Sequence, residues 1–223
     1  MTNSAFQGLD DAMQARRQVF SVLSRLLGRE VDEELLATLK EGGMLSSDDE
    51  ALSGAIGLIE GYLASEGSSK LDLDRDYAKA FCGAGSTNKD SAYPFESFYT
   101  SKERLLMQEA RDDALRWYRR FGVQKADDWH DCEDHVGVEL EFVVHLIDEW
   151  RRAAAEGNEA RAAELLLAQR DFERTHLANW LPLFAIDVRR RARTDFYIGL
   201  AQLADAYVAQ DVATLGELVG DGA

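Results

Sequence analysis

Few residues in this sequence are of types that do chemistry, and they are unevenly placed. Its histidines are His130, His135, His145 and His176. His130, Cys132 and His135 are the right types for a metal site, but their spacing matches no recognised ligand pattern. A di-iron carboxylate centre in a helical bundle needs two Glu-x-x-His motifs and two further glutamates. Only Glu173-Arg174-Thr175-His176 fits, because neither His135 nor His145 has a glutamate three residues earlier. There is no Gly-x-Ser-x-Gly, no phosphate-binding loop and no Gly-x-Gly-x-x-Gly. Catalysis, a metal and a cofactor are therefore not expected.

Two other segments concentrate polar or aromatic groups. In Asp131-Cys132-Glu133-Asp134-His135, helix capping accounts for the acids, since Asp131 or Asp134 can accept backbone N–H bonds at the positive end of a helix. Capping leaves His135 unexplained; its neutral ring can both donate and accept in a pocket. Tyr93-Pro94-Phe95-Glu96-Ser97-Phe98-Tyr99 gathers four aromatics around one proline and one glutamate. Either these rings fill the core beneath a loop, or they form a partly exposed surface for an apolar peptide, with Glu96 open to an arginine.

The elements that must position these groups are helices. Proline occurs only at 94 and 182, against many Ala, Leu, Glu, Arg and Gln, which favours helix throughout. Residues 11–27 place Val19, Phe20, Leu23, Leu26 and Leu27 on one stripe. Further helices are expected at 32–40 (stopped by Gly42-Gly43), from a cap at Asp48 or Asp49 to about 63, and at 71–82 with Leu73, Tyr77 and Phe81. Gly83, Gly85, Ser86, Asn88, Asp90 and Ser91 mark a loop closed by Pro94. A helix over 101–121 would align Met107, Ala110, Ala114, Trp117 and Phe121, with Gly122 as its C′ residue. The segment 123–133 reads as irregular. A long helix over about 134–155 buries Val136, Leu140, Val143, Ile147 and Trp150. Helices at 159–175 and 176–193 follow, the second broken or kinked at Pro182. The last, 194–210, buries Phe196, Tyr197, Leu200, Leu203, Ala204 and Tyr207, and a short helix ends the chain. The fold class is all-α: one globular domain, residues 1–223, of about ten helices. Candidate hinges lie at 83–93 and 122–133.

The 223 residues carry 25 basic and 41 acidic side chains, a net charge of −16. Such a field disfavours nucleic acid and anionic membranes, and it attracts a basic peptide. No apolar run is long enough to span a membrane, and the acidic N-terminal stretch does not read as a secretory signal. Cys82 and Cys132 form no CxxC pair, and a reducing cytoplasm is the simplest setting. Arg16-Arg17-Gln18-Val19-Phe20 looks like a twin-arginine export motif, but Arg25, Arg29, Glu30 and Asp32 to Glu34 follow where an apolar stretch should. The arginine pair is expected on the solvated face of the first helix.

Three blocks resemble the cytoplasmic maturation chaperones of molybdoenzymes, the trimethylamine-oxide and dimethyl-sulfoxide reductase chaperones and their nitrate-reductase relatives. One is Tyr77-Ala78-Lys79-Ala80-Phe81-Cys82-Gly83 followed by Tyr93 to Tyr99. Another is Glu133-Asp134-His135 running into Glu139-Leu140, where the family often has a proline and this chain has none. The third is His176-Leu177 through Trp180-Leu181-Pro182. The likeness spans about residues 15–210. It implies an all-helical, non-enzymatic protein that binds the twin-arginine leader and apo catalytic subunit of a molybdopterin oxidoreductase before export. It assigns Asp134, His135 and Glu96 to the arginine-bearing end of the leader, with Glu139 near the same mouth. Tyr77, Phe81, Tyr93, Pro94 and Tyr99 would line the apolar groove. The alternatives are a chaperone for a leaderless nitrate-reductase-type subunit, a nucleotide-dependent enzyme or switch, and a helical adaptor with no leader site. A monomer or a domain-swapped dimer is expected, since the long loop permits exchange.

Overall fold

The computed structural model describes residues 3–42, 46–84 and 91–220, with side chains from Gly8 onward. Gly43 of the expected helix stop and residues 85–90 of the first candidate hinge lie outside them. Within the described residues the chain forms ten helices and no strand. These are α1 (Asn3–Gly28), α2 (Glu33–Glu41), α3 (Glu50–Ala64), α4 (Lys70–Ala80), α5 (Glu96–Thr100), α6 (Glu109–Arg120), α7 (Val136–Ala155), α8 (Glu159–His176), α9 (Leu181–Arg191) and α10 (Asp195–Val219).

Local chemistry sets most boundaries. Asp32, Asp49, Ser69 and Asn158 cap α2, α3, α4 and α8 by accepting first-turn N–H groups. Gly122 and Gly157, at φ 71° and 70°, follow α6 and α7 in the left-handed conformation that glycine adopts without strain. Pro182 sits in the first turn of α9, where its missing N–H costs nothing, so the helix begins there rather than kinking.

The packing has two close layers. Helix α1 lies along α7, which continues onto α8; α10 packs against α3, α8 and α9. At both crossings a glycine lets backbones meet: a Cβ on Gly137 would fall 2.8 Å from Gly28 Cα, and one on Gly199 would fall 2.6 Å from the Ala55 carbonyl oxygen. The stripes expected on α1, α7 and α10 are buried, among them Phe20, Leu23, Leu140, Val143, Trp150, Phe196 and Leu200; Val19 and Tyr207 pack at the edge of this core.

Four expectations need correction. The helix expected over 101–121 begins only at Glu109. Arg104 and Met107 have φ of 52° and 58°, so the chain turns there and leaves Met107 65% exposed. The segment 96–100, not foreseen as helical, is α5. The last helix runs on to Val219, so the described residues hold one continuous helix where a helix to 210 and a short one were expected. Arg16 is not on a solvated face: it is buried. Its guanidinium bonds Asp211 through Nε and Nη2 at 2.7 and 2.6 Å, Gln169 at 2.6 Å and Glu173 at 3.1 Å. Burial and the adjacent Asp211 carboxylate push the Glu173 carboxyl well above its usual range. Removing one member of such a buried set costs about 3–5 kcal/mol, because its partners stay desolvated and unpaired. Arg17 is partly exposed and pairs with Asp148 at 2.7 Å.

Candidate functional site

The Tyr93–Tyr99 and Asp131–Glu139 segments, 37 residues apart at Ser97 and Asp134, meet in one junction. Phe95 and His135 form an isolated antiparallel bridge. The Glu96 N–H donates to the Asp134 carbonyl at 3.0 Å, and the Val136 N–H donates to the Pro94 carbonyl at 2.9 Å. The Asp134 side chain caps α5 rather than its own helix: the Ser97 N–H donates to its Oδ2 at 2.9 Å. His135 caps α7, its Nδ1 accepting from the Gly137 N–H at 3.0 Å. The residue that capping left unexplained in the sequence is therefore itself the cap. Its ring sits edge-on between Phe95 and Trp129. Desolvation holds its pKa down to about 3, so the imidazole is neutral and can accept.

Beneath this junction lies a polar cluster inside the protein. Glu96 accepts from Asn179 Nδ2 at 2.9 Å, and its other oxygen is 2.8 Å from His176 Nδ1. Glu139, from the first turn of α7, is reached by Trp180 Nε1 at 3.3 Å. Burial, then the Glu96 and Asp134 carboxylates, raise the Glu139 carboxyl well above its usual range. Burial also raises Asp134. The lone Glu-x-x-His motif is split by the fold: Glu173 turns to Arg16 and His176 turns to Glu96.

Two clefts flank α5. One, of about 720 Å³, is lined by Tyr93, Phe98, Arg104, Leu105 and Leu106 among others. Leu105 and Leu106 are 51% and 38% exposed on its rim. The Arg104 guanidinium lies over the Phe98 ring at 4.5 Å and pairs with Asp187 at 2.6 Å, which ties the rim to α9. The other cleft, of about 610 Å³, is polar; Glu109, Asp113 and Arg116 stand on its walls, with Glu96, His176 and Asn179 at its inner side. Lys102 borders both.

The expected site residues therefore separate. Tyr93 lines the apolar cleft and Glu96 the polar one. Pro94 is buried in the junction. Tyr99 stacks on Trp180. Tyr77 and Phe81 line neither cleft; their rings pack with Tyr197, and Phe81 also with Phe184, in the main core. Asp134, His135 and Glu139 are 0%, 2% and 0% exposed, so none of them is open to an incoming arginine in this structure. Phe98, one of the four aromatics offered as a peptide surface, does line the apolar cleft; sequence reasoning missed Leu105, Leu106, Glu109 and Asp113 as cleft residues. The available signal was Leu105-Leu106-Met107, an apolar triplet that a helix over 101–121 absorbed.

Fold and site together define an all-α protein with an apolar and a polar cleft meeting at one lysine. The chain belongs to the nitrate reductase delta subunit family, whose profile matches residues 45–185. It is 27% identical over 208 residues to the chaperone protein TorD of Vibrio parahaemolyticus, covering 90% of this chain and 94% of that one. Over 205 residues it is 29% identical to the perchlorate reductase assembly chaperone protein of Dechloromonas aromatica, covering 89% and 88%. The crystal structure of a putative redox enzyme maturation protein from Archaeoglobus fulgidus has a TM-score of 0.51 at 19% identity, covering 86% of this chain and 93% of that one, and shares the fold. The motif resemblance and these comparisons agree on the family, whose members are chaperones and maturation proteins rather than enzymes.

Proposed function

We propose that this protein is a cytoplasmic chaperone that binds the twin-arginine leader and the apo catalytic subunit of a molybdopterin oxidoreductase, of the dimethyl-sulfoxide or trimethylamine-oxide reductase type. It holds that subunit back from export until its cofactor is inserted. The observation that carries this reading is the pair of clefts sharing Lys102. A leader is bipolar, with paired arginines followed by an apolar stretch. Glu109 and Asp113 suit guanidinium groups, which form bidentate contacts with carboxylates. Tyr93, Phe98, Leu105 and Leu106 suit the apolar stretch, laid in as a helix in a groove. Asp134 and His135 serve this site by fixing α5 between the clefts. Cys82 and Cys132 are both free thiols, which is compatible with a reducing compartment, and no described helix is long and apolar enough to cross a membrane.

Calorimetry with a synthetic leader peptide tests the reading. The parent protein should bind it, and replacing the two arginines by glutamine should weaken binding by at least about tenfold, roughly 1.4 kcal/mol. Glu109→Gln and Leu105→Ser should each weaken the parent peptide. Equal affinity in both variants would remove the clefts from the leader site. The family's nitrate reductase name favours one second reading, a client without a leader. Undiminished capture of the catalytic subunit after deletion of its leader would select it.

A further inference from the structure

Glu96, Glu139 and His176 arrive from α5, α7 and the last turn of α8. One donor atom from each lies within 4.8 Å of those from the other two, and all three residues are at most 2% exposed. Among the described residues, the ion pair with His176 is the only one that either glutamate makes; Arg104 and Arg111, on neighbouring segments, are committed to Asp187 and Glu133. Two carboxyl groups facing one another without a cation are costly to bury.

The remaining contacts are arranged on the far side of each group. Asn179 holds Glu96 Oε1; Trp180 Nε1, whose N–H donates to the His176 carbonyl at 2.6 Å, also reaches Glu139 Oε2 at 3.3 Å; and His176 Nε2 lies 3.1 Å from Asp113 Oδ2 without hydrogen-bond geometry. A metal-bound histidine ordinarily has a carboxylate or carbonyl on its second nitrogen, and metal-bound carboxylates are themselves hydrogen-bonded. Glu139 Oε1, on a fully buried side chain, has no hydrogen-bond partner. Glu139 thus brings an unpartnered buried oxygen to a cluster it shares with the Glu96 carboxylate and the His176 imidazole.

We propose that Glu96, Glu139 and His176 bind one divalent transition-metal ion. The imidazole nitrogen favours such an ion over calcium or magnesium, and two carboxylates with no thiolate favour Zn²⁺ or Mn²⁺ over Cu⁺. Three protein ligands leave a position open, on the side where Glu96 and His176 border the polar cleft. Loading has to widen the 2.8 Å contact between His176 Nδ1 and Glu96 Oε2 to the roughly 3.3 Å edge of a tetrahedron with bonds of about 2.0 Å.

The test needs no peptide or client, so its result is independent of the leader reading. Full-length protein is stripped with chelator and titrated calorimetrically with ZnCl₂ and MnCl₂, and its visible spectrum is followed with Co²⁺. The expected result is one ion per chain for at least one metal, with the cobalt bands of a low-coordinate nitrogen–oxygen site. Glu139→Gln keeps the shape and hydrogen-bonding capacity of a protonated glutamate, so the metal-free variant should melt within a few degrees of the parent yet bind at least about 100-fold more weakly. Asp113→Asn, which neutralises the carboxylate 3.1 Å behind His176 and also its pairing with Arg116, should weaken metal binding by about 10- to 100-fold. Absence of a one-to-one complex with either ion overturns the proposal. So does a Glu139→Gln variant that binds like the parent, or binding lost on Cys132→Ser instead.

Discussion

His135 links acid sensitivity to the architecture of the site. Its folded pKa of about 3 lies below the ordinary 6.5, and burial is the cause. Phe95, Trp129 and the Gly137 amide surround the ring; of the nearby acids, Asp134 faces Ser97 and Glu133 faces Arg111. The unfolded chain binds a proton below pH 6.5 that the folded chain refuses until about pH 3. The contribution of this residue is thus intact above pH 6.5 and is lost progressively as pH falls toward 3. By pH 5 the loss amounts to about 2 kcal/mol. Asparagine caps a helix well and does not titrate. Urea unfolding of His135→Asn should therefore show a flatter stability profile than the parent between pH 6.5 and 5, and profiles of equal slope would mean the ring is not buried as a neutral base.

At the scale of elements, α5 and α7 meet at two adjacent caps, one reaching across the junction and one serving its own helix. The Asp134 carboxylate serves α5, and the His135 ring serves α7. Asp134→Ala leaves the Ser97 N–H buried without its partner, a cost of about 1–3 kcal/mol. Amide exchange at Ser97 and Phe98 should accelerate in that variant while the first turn of α7 stays protected. His135→Ala should give the reverse pattern, and uniform acceleration across both would show that the two caps are one cooperative unit. This junction also marks the limit of what was legible. The long helices were readable because Val136, Leu140, Val143 and Ile147, or Phe196, Leu200 and Leu203, repeat at helical spacing. The five-residue α5 is too short to show a period. Met107 fitted the spacing of Ala110 and Ala114, so the reversal at Arg104 and Met107 was hidden, and with it the apolar rim. Asp134 was recognisable as a cap, but sequence distance gave no hint that the helix it caps lies 37 residues earlier.

The whole molecule adds a field that no single cleft supplies. Arg16 shows why charge must be assigned after folding: read along α1 it is solvent-facing, yet its partner Asp211 lies 195 residues away and the group is buried. Most of the acids contributing to the net charge of −16 are not consumed in this way. Together they give the molecule a net negative envelope, while the walls of the clefts are mixed, with Lys102, Arg104 and Arg116 beside Glu109 and Asp113. On the proposed function, long-range attraction of a basic leader would come from the envelope and its retention from the apolar cleft. The two contributions respond differently to salt. Raising ionic strength from about 0.01 to 0.15 M shortens the screening length from about 30 to 8 Å, which removes the envelope but leaves contacts at van der Waals range. Stopped-flow association of a twin-arginine peptide should slow by about tenfold across that range with little change in dissociation rate. Leu106→Ser should instead speed dissociation and leave the salt slope of association intact. A salt effect confined to dissociation would place the attraction in local ion pairs on the cleft walls and deny the envelope a role in capture.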